Sequence, residues 1–269
     1  MLRKTFISIV LFTVLCALTG CYVKNSFEKG FSLAPFKKTH GPILKKIESA
    51  TVCFQNDKKR WSGIAISNDG KVLTALHGLN VNNNDVTDKQ LIKNLEDDLR
   101  GRYGETEFKG ASVIVVFPML DLAIIDIGLP TRSYLSGSET GPKEEDIVFL
   151  AGTSTYTIQI AVGRYFACSE TFRHKRASLW VDGPAFKGDS GGAITNEKGE
   201  LLGVMTDGGY AKDLQSIDPE IFSKRNHVVI ATAVPPQLIE EMINSKTQLN
   251  VSTSMGNVEK SWGSISLTQ

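Results

Sequence analysis

From Ala50 onward the chain is a succession of short apolar runs, each closed within a few residues by glycine, proline, asparagine or aspartate. Runs of this length suit strands better than buried helices, so the pattern predicts an all-β sandwich or barrel. Thr51-Val52-Cys53-Phe54 reads as a first strand. Gly63 to Ser67 and Lys71 to Ala75 flank Asn68-Asp69-Gly70, a strong hairpin signal. Ser112 to Phe117 and Leu122 to Ile127 form another pair. A second set comprises Ile147 to Ala151, Gln159 to Ala167, Ser178 to Val181, Ala193 to Thr195, Leu201 to Thr206 and Val228 to Thr232. Two sets of about six strands predict two antiparallel barrels, over 45–130 and 145–234. With 269 residues, 41% of them hydrophobic, there is enough apolar material to fill both. Asp88 to Leu99 carries Leu91, Ile92, Leu95 and Leu99 at helical spacing. Pro235 and Pro236 open a short C-terminal helix over 235–243, and the polar stretch 244–269 reads as a mobile tail.

The N-terminus speaks to location. Met1-Leu2-Arg3-Lys4 is basic and Phe6 to Leu18 is apolar, a signal-peptide pattern over 1–20. Leu18-Thr19-Gly20-Cys21 resembles the lipobox of bacterial lipoproteins, which implies acylation of Cys21, with palmitate among the chains, and anchoring to a membrane. The alternative is an ordinary signal in which Cys21 is incidental. Residues 21–44 read as a lipidated tether. Tyr22, in place of the aspartate of inner-membrane retention, implies an outer-membrane location facing the periplasm. A net charge of +1 argues against an obligatory nucleic-acid partner. Cys53 and Cys168 remain after processing, either as one disulfide or as two buried thiols. No Cys/His spacing resembles a zinc site, and neither metal nor cofactor is expected. Oligomeric state is not legible.

Gly188-Asp189-Ser190-Gly191-Gly192 is the candidate chemical motif. A serine hydroxyl attacks well only when a base takes its proton and donors receive the developing oxyanion. Glycines let the N–H groups of Gly188 and Ser190 converge. Such a run is also a plausible turn between strands, so partners decide. His77 closes the apolar run Val72 to Leu76, where a strand end fixes an imidazole beside a cleft. Histidine exchanges protons near neutrality. Asp121 precedes Leu122-Ala123-Ile124-Ile125, where a carboxylate loses water unless a donor meets it. Asp126 competes from the other end of that strand and reads as a turn-facing acid.

These pieces together resemble the chymotrypsin-like (trypsin-fold) serine proteases, most closely bacterial members of the HtrA type. Trp61 to Gly70, Leu73-Thr74-Ala75-Leu76-His77, Asp121-Leu122-Ala123-Ile124 and Gly188 to Ala193 carry the resemblance, in the family's order of His, Asp, Ser. It covers about residues 45–243 and implies a protease domain of that extent. It further implies Ser190 as nucleophile, His77 as general base and acid, Asp121 as its orienter, and Gly188 with Ser190 as oxyanion hole. The implied partners are protein or peptide substrates. The chain departs from the family in three ways. There is no Ile-Val-Gly-Gly start whose freed N-terminus would pair with Asp189, so that acid needs another partner, Lys187 or Arg164, or solvent. About 26 residues follow Ile243, too few for a PDZ domain. The pocket-base position is Pro184, with Met205 and Thr206 on the wall, which favours a small or medium aliphatic side chain over lysine or arginine. Arg173-His174-Lys175-Arg176 reads as a solvated hairpin tip, with anionic headgroups as the alternative. The function implied is a lipid-anchored envelope endopeptidase; the alternative is a trypsin-fold lipoprotein that binds without cleaving.

Overall fold

The structure is a computed structural model describing residues 32–57, 59–79, 98–154, 157–170, 177–210, 225, 227–244 and 262. The signal peptide with Cys21, all but the last two residues of the helix expected over 88–99, the basic cluster at 173–176, residues 211–224 and nearly all of the tail lie outside these residues. No helix of the described residues is long and apolar enough to cross a membrane.

Two antiparallel sheets account for the body. The first contains β1 (Thr51–Gln55), β2 (Arg60–Ala65), β3 (Lys71–Ala75), β4 (Arg100–Tyr103), β5 (Thr106–Lys109), β6 (Ser112–Phe117) and β7 (Leu122–Asp126), in the order β5-β4-β1-β2-β3-β7-β6. The second is a closed six-stranded barrel of β8 (Ile147–Gly152), β9 (Gln159–Glu170), β10 (Ala177–Asp182), β11 (Ala193–Thr195), β12 (Leu201–Tyr210) and β13 (His227–Ala233), in the order β10-β13-β12-β11-β8-β9. The all-β, two-unit architecture follows the sequence expectation. The first unit differs in being a seven-stranded half-barrel. Its additional hairpin, β4–β5, turns at Gly104 with φ 57°, and on β5 only Phe108 is buried. That single inward residue leaves no apolar alternation to read.

The hairpin predicted at Asn68-Asp69-Gly70 joins β2 to β3. Gly70 has φ 96°, a left-handed conformation that favours glycine, and the Ile66 N–H donates to the Lys71 carbonyl across the turn (3.0 Å). Leu73 and Ile64 are Cα partners across this pair and both are fully buried.

The tether expected up to residue 44 ends earlier. Helices α1 (Ala34–Thr39) and α2 (Gly41–Ala50) precede β1, each with a proline in its first turn. Leu44, Ile47 and Ala50 recur at i, i+3, i+6 and are buried on one face of α2. They enter a core that joins both sheets, with Ile64, Leu73, Phe117 and Ile124 from the first and Phe149, Ala193, Leu201 and Val204 from the second. The C-terminal helix α3 (Pro236–Asn244) adds Leu238, Ile239 and Met242 to the same cluster. Trp262, within the expected tail, donates its indole N–H to the Ser138 carbonyl (2.7 Å). Cys53 and Cys168 are buried thiols in different sheets and form no disulfide with each other.

Candidate active site

His77 sits in the single 3-10 turn Leu76–Leu79 that ends β3, and Asp121 follows the 3-10 turn Pro118–Leu120 that ends β6. The register of β3 with β7 brings them together, Ala75 lying opposite Leu122. Asp121 holds φ 55°, a left-handed value that aspartate tolerates better than most residues. That conformation aims both carboxylate oxygens at one residue. Oδ1 accepts the His77 main-chain N–H (2.9 Å) and Oδ2 meets His77 Nδ1 (2.7 Å). A bidentate grip fixes the ring's position and places the ring proton on Nδ1. Nε2 is then the free base, and the side chain is 45% exposed, so that nitrogen is open to an incoming proton. Asp126 takes the role expected for it, accepting the Gly128 N–H in the next turn (2.8 Å).

Ser190 reaches the same place from the second sheet. It precedes β11 in a loop most of whose carbonyls and amides are committed to protein partners. Asp189 N–H donates to Phe186 (2.9 Å), Gly192 N–H to Asp189 (2.8 Å) and Gly191 N–H to Met205 (2.7 Å). Ser190 and Gly192 carbonyls accept from the N–H groups of Ser62 and Met205, both at 2.8 Å. Among the described residues, the N–H groups of Gly188 and Ser190 find no protein acceptor. Gly188 is buried and Ser190 half-buried, so both amides are available to a group placed beside the serine. Gly188 has φ 109° and Gly191 φ 86°. A Cβ at Gly191 would collide with the Ser62 carbonyl, so the loop needs glycine there for space as well as for angle.

The two sheets hold each other's site loops through buried hydroxyls, which sequence reasoning missed. Ser62 on β2 donates its hydroxyl to the Gly188 carbonyl (2.8 Å) and accepts the Thr153 N–H (2.9 Å). Thr232 on β13 donates to the carbonyl of Leu120, the residue before Asp121 (2.8 Å). Both side chains are fully buried. The available signal was a serine or threonine inside an apolar strand. Its partner, 126 residues away for Ser62, has no local signature.

Asp189 pairs with neither Lys187 nor Arg164, and it does not face solvent. Its carboxylate turns inward, accepting N–H groups of Ser154 (3.1 Å) and Phe186 (2.8 Å). Gly152 leaves the room it occupies. Burial pushes its pKa above the ordinary carboxylate value, and the two amide donors pull it back. Arg164 reaches Glu145 instead (3.4 Å).

His77 and Ser190 line one cavity of about 270 Å³ with Ala185, Phe186, Met205 and Thr206. Met205 and Thr206 are among its lining residues. Pro184 does not line it, which corrects the expected pocket base. The lining begins at Ala185, next to Phe186, whose N–H donates to the Asp189 carboxylate. Asp207 also lines the mouth, with Oδ1 accepting the Gly208 N–H (2.8 Å). No hydrogen bond joins the Ser190 hydroxyl to His77 among the described residues; such bonds are often open in free enzymes and close around substrate. No group of His, Cys, Asp and Glu suited to a metal occurs among the described residues.

A sequence-family description of the trypsin-like peptidase domain matches residues 61–204, a span that contains His77, Asp121 and Ser190. The chain belongs to the trypsin-like peptidase family. By this membership it is a trypsin-fold serine endopeptidase. No curated protein matches it at a significant level. Among solved structures it is similar to Rv3671c from M. tuberculosis H37Rv in an inactive form, at 16% identity and TM-score 0.57, covering 77% of this chain and 91% of that one. The active form of the same protease aligns at 18% identity and TM-score 0.56, covering 81% and 90%. The HtrA-type protease AlgW with tripeptide aligns at 16% identity and TM-score 0.58, covering 76% of this chain and 64% of that chain. At these identities the likeness is one of fold.

Proposed function

We propose that this peptidase is a lipid-anchored serine endopeptidase of a bacterial envelope, acting through Ser190, His77 and Asp121. The observation that carries the reading is the pair of unpaired amides, Gly188 and Ser190, in the loop that meets the Asp121-held imidazole. The roles follow the general template of such triads. Ser190 Oγ attacks the scissile carbonyl carbon while His77 Nε2 takes its proton. The carbonyl electrons move onto oxygen, where the two N–H groups receive them. Asp121 stabilises the imidazolium. Collapse of the tetrahedral adduct breaks the C–N bond, and His77 returns the proton to the leaving amine. The acyl-enzyme is then hydrolysed by water through the same groups, restoring the serine hydroxyl.

The cell-envelope part rests on Met1 to Cys21, and the envelope proteins within reach of such an anchor are its substrates. The open Ser190–His77 geometry favours one competing reading, a trypsin-fold protein that binds without cleaving. A fluorophosphonate probe separates them. Labelling of the wild type and none of Ser190→Ala supports the peptidase, and a folded wild type that stays unlabelled supports the binder. Cys21→Ser moves the protein from the membrane to the soluble fraction; retention at the membrane refutes the lipid anchor.

A further inference from the structure

A second cleft, of about 410 Å³, adjoins the site on its His77 side. Its charged lining comprises Lys59, Arg60, Arg100 and Lys187 against one carboxylate, Asp57, which is paired with Arg100. The chain as a whole carries only +1, so this concentration is not an average of its composition. Across Arg60 and Arg100 the cleft is continuous with another of about 600 Å³, where Arg102 and Lys109 face Glu107. The positive lining therefore continues across β1, β4 and β5.

Two of its residues tie the cleft to the reaction. Lys59 donates its ammonium to the main-chain carbonyl of His77 (2.7 Å). Lys187 lines this cleft and the Ser190 cavity alike, and it immediately precedes Gly188. A peptide that places its scissile carbonyl at Ser190 and a side chain in the Met205–Thr206 cavity must send its other half past His77. His77 is the group that protonates the leaving amine, so the departing half of the substrate passes over Lys59 and into the basic cleft. Burial lowers the Lys59 pKa, with Asp121 opposing and Lys187 adding to the shift. A bound carboxylate would relieve that cost.

We propose that this cleft is a leaving-side subsite for acidic residues, so that the preferred substrates carry Asp or Glu shortly after the scissile bond. The assignment rests on the peptidase reading and adds a substrate class to it. The lining surrounds a concave space beside the nucleophile, and carboxylates are the peptide groups that complement guanidinium and ammonium there.

The test uses internally quenched peptides with one acyl-side sequence and Glu, Gln or Lys at the second and third positions after the cleaved bond. Glu peptides should exceed Gln peptides by about tenfold in kcat/KM, and Lys peptides should fall below both. Raising salt from about 0.05 to 0.5 M should shrink the Glu-to-Gln ratio severalfold, because the partners are charges that solvent still reaches. Arg60→Glu combined with Arg100→Glu should move the preference toward Lys. The salt series in wild type keeps the test decisive if that variant does not fold. Equal rates for Glu and Gln in an enzyme that labels with fluorophosphonate overturn the subsite and leave the peptidase reading standing. Binding to phosphatidylglycerol vesicles that the double variant loses, without any peptide preference, assigns the cleft to lipid headgroups and likewise overturns it. An enzyme that neither labels nor cleaves fails at the earlier reading.

Discussion

Ser62→Ala removes one oxygen from the contact between the two sheets, and its consequences can be worked through. The Ser62 hydroxyl donates to the Gly188 carbonyl, accepts the Thr153 N–H and lies 3.0 Å from the Thr153 hydroxyl, all in a buried setting. Alanine leaves the Thr153 N–H without its acceptor and the Gly188 carbonyl without its donor. An orphaned buried polar group costs about 1–3 kcal/mol, so the pair of losses should total about 2–4 kcal/mol, tempered by the small volume that a water could enter. For a domain of this size that is a fall in Tm of roughly 4–16 °C. The kinetic effect is separate. The Gly188 carbonyl belongs to a residue whose N–H is proposed to serve the oxyanion, so freeing it would loosen one donor. Deleting a whole donor costs on the order of 10²–10³ in kcat, and loosening one should cost about tenfold, with KM little changed. Thermal melts and steady-state kinetics on one peptide check both. A Tm loss of the expected size with kcat intact would make Ser62 structural only. No change in either would refute the reasoning that this hydroxyl supports the loop.

Three other perturbations test neighbouring parts of the argument. Asp121→Asn keeps a residue tolerant of the left-handed backbone but replaces the acceptor of the Nδ1 proton, so kcat should fall by about 10⁴ while the melting curve moves little; a loss under tenfold would remove Asp121 from its role. Ile47→Ala should lower stability by about 2–4 kcal/mol in a denaturant melt, because α2 is part of the core; an unchanged midpoint would return residues 34–44 to the status of a tether. The buried Asp189 retains its proton to higher pH than in the unfolded chain, so the native state binds more protons between the ordinary carboxylate value of 3.8 and the raised one. Across that window stability falls as pH rises, and the Tm of the wild type relative to Asp189→Asn should fall with it and then level off; a rising difference would mean that the Ser154 and Phe186 amides outweigh burial.

Much of the fold was legible because its signals are local. The Asn68-Asp69-Gly70 turn, the apolar runs of β3, β7 and β8, and the prolines opening α3 each act within a few residues. Helix α2 was missed because Lys45, Lys46 and Glu48 make its outer face strongly polar and disguise Leu44 and Ile47. Hairpin β4–β5 was missed for a related reason, with one buried side chain on β5. Of the site, His77, Asp121 and Ser190 stood out by motif, and the structure brings the first two into direct contact across 44 residues.

The sequence by itself determined an all-β chain, three candidate site residues in their order, and a lipobox-like N-terminus. Tertiary structure alone decided what surrounds those residues. It turned Asp189 inward onto two amides, placed the Ser62 hydroxyl under Gly188 and that of Thr232 under Leu120, and gathered Lys59, Arg60, Arg100 and Lys187 around one cleft. The physical reason is range. Turn and strand preferences are energies of neighbouring residues, whereas the partner of a buried hydroxyl or carboxylate is whatever donor or acceptor the packing of distant strands places within about 3 Å.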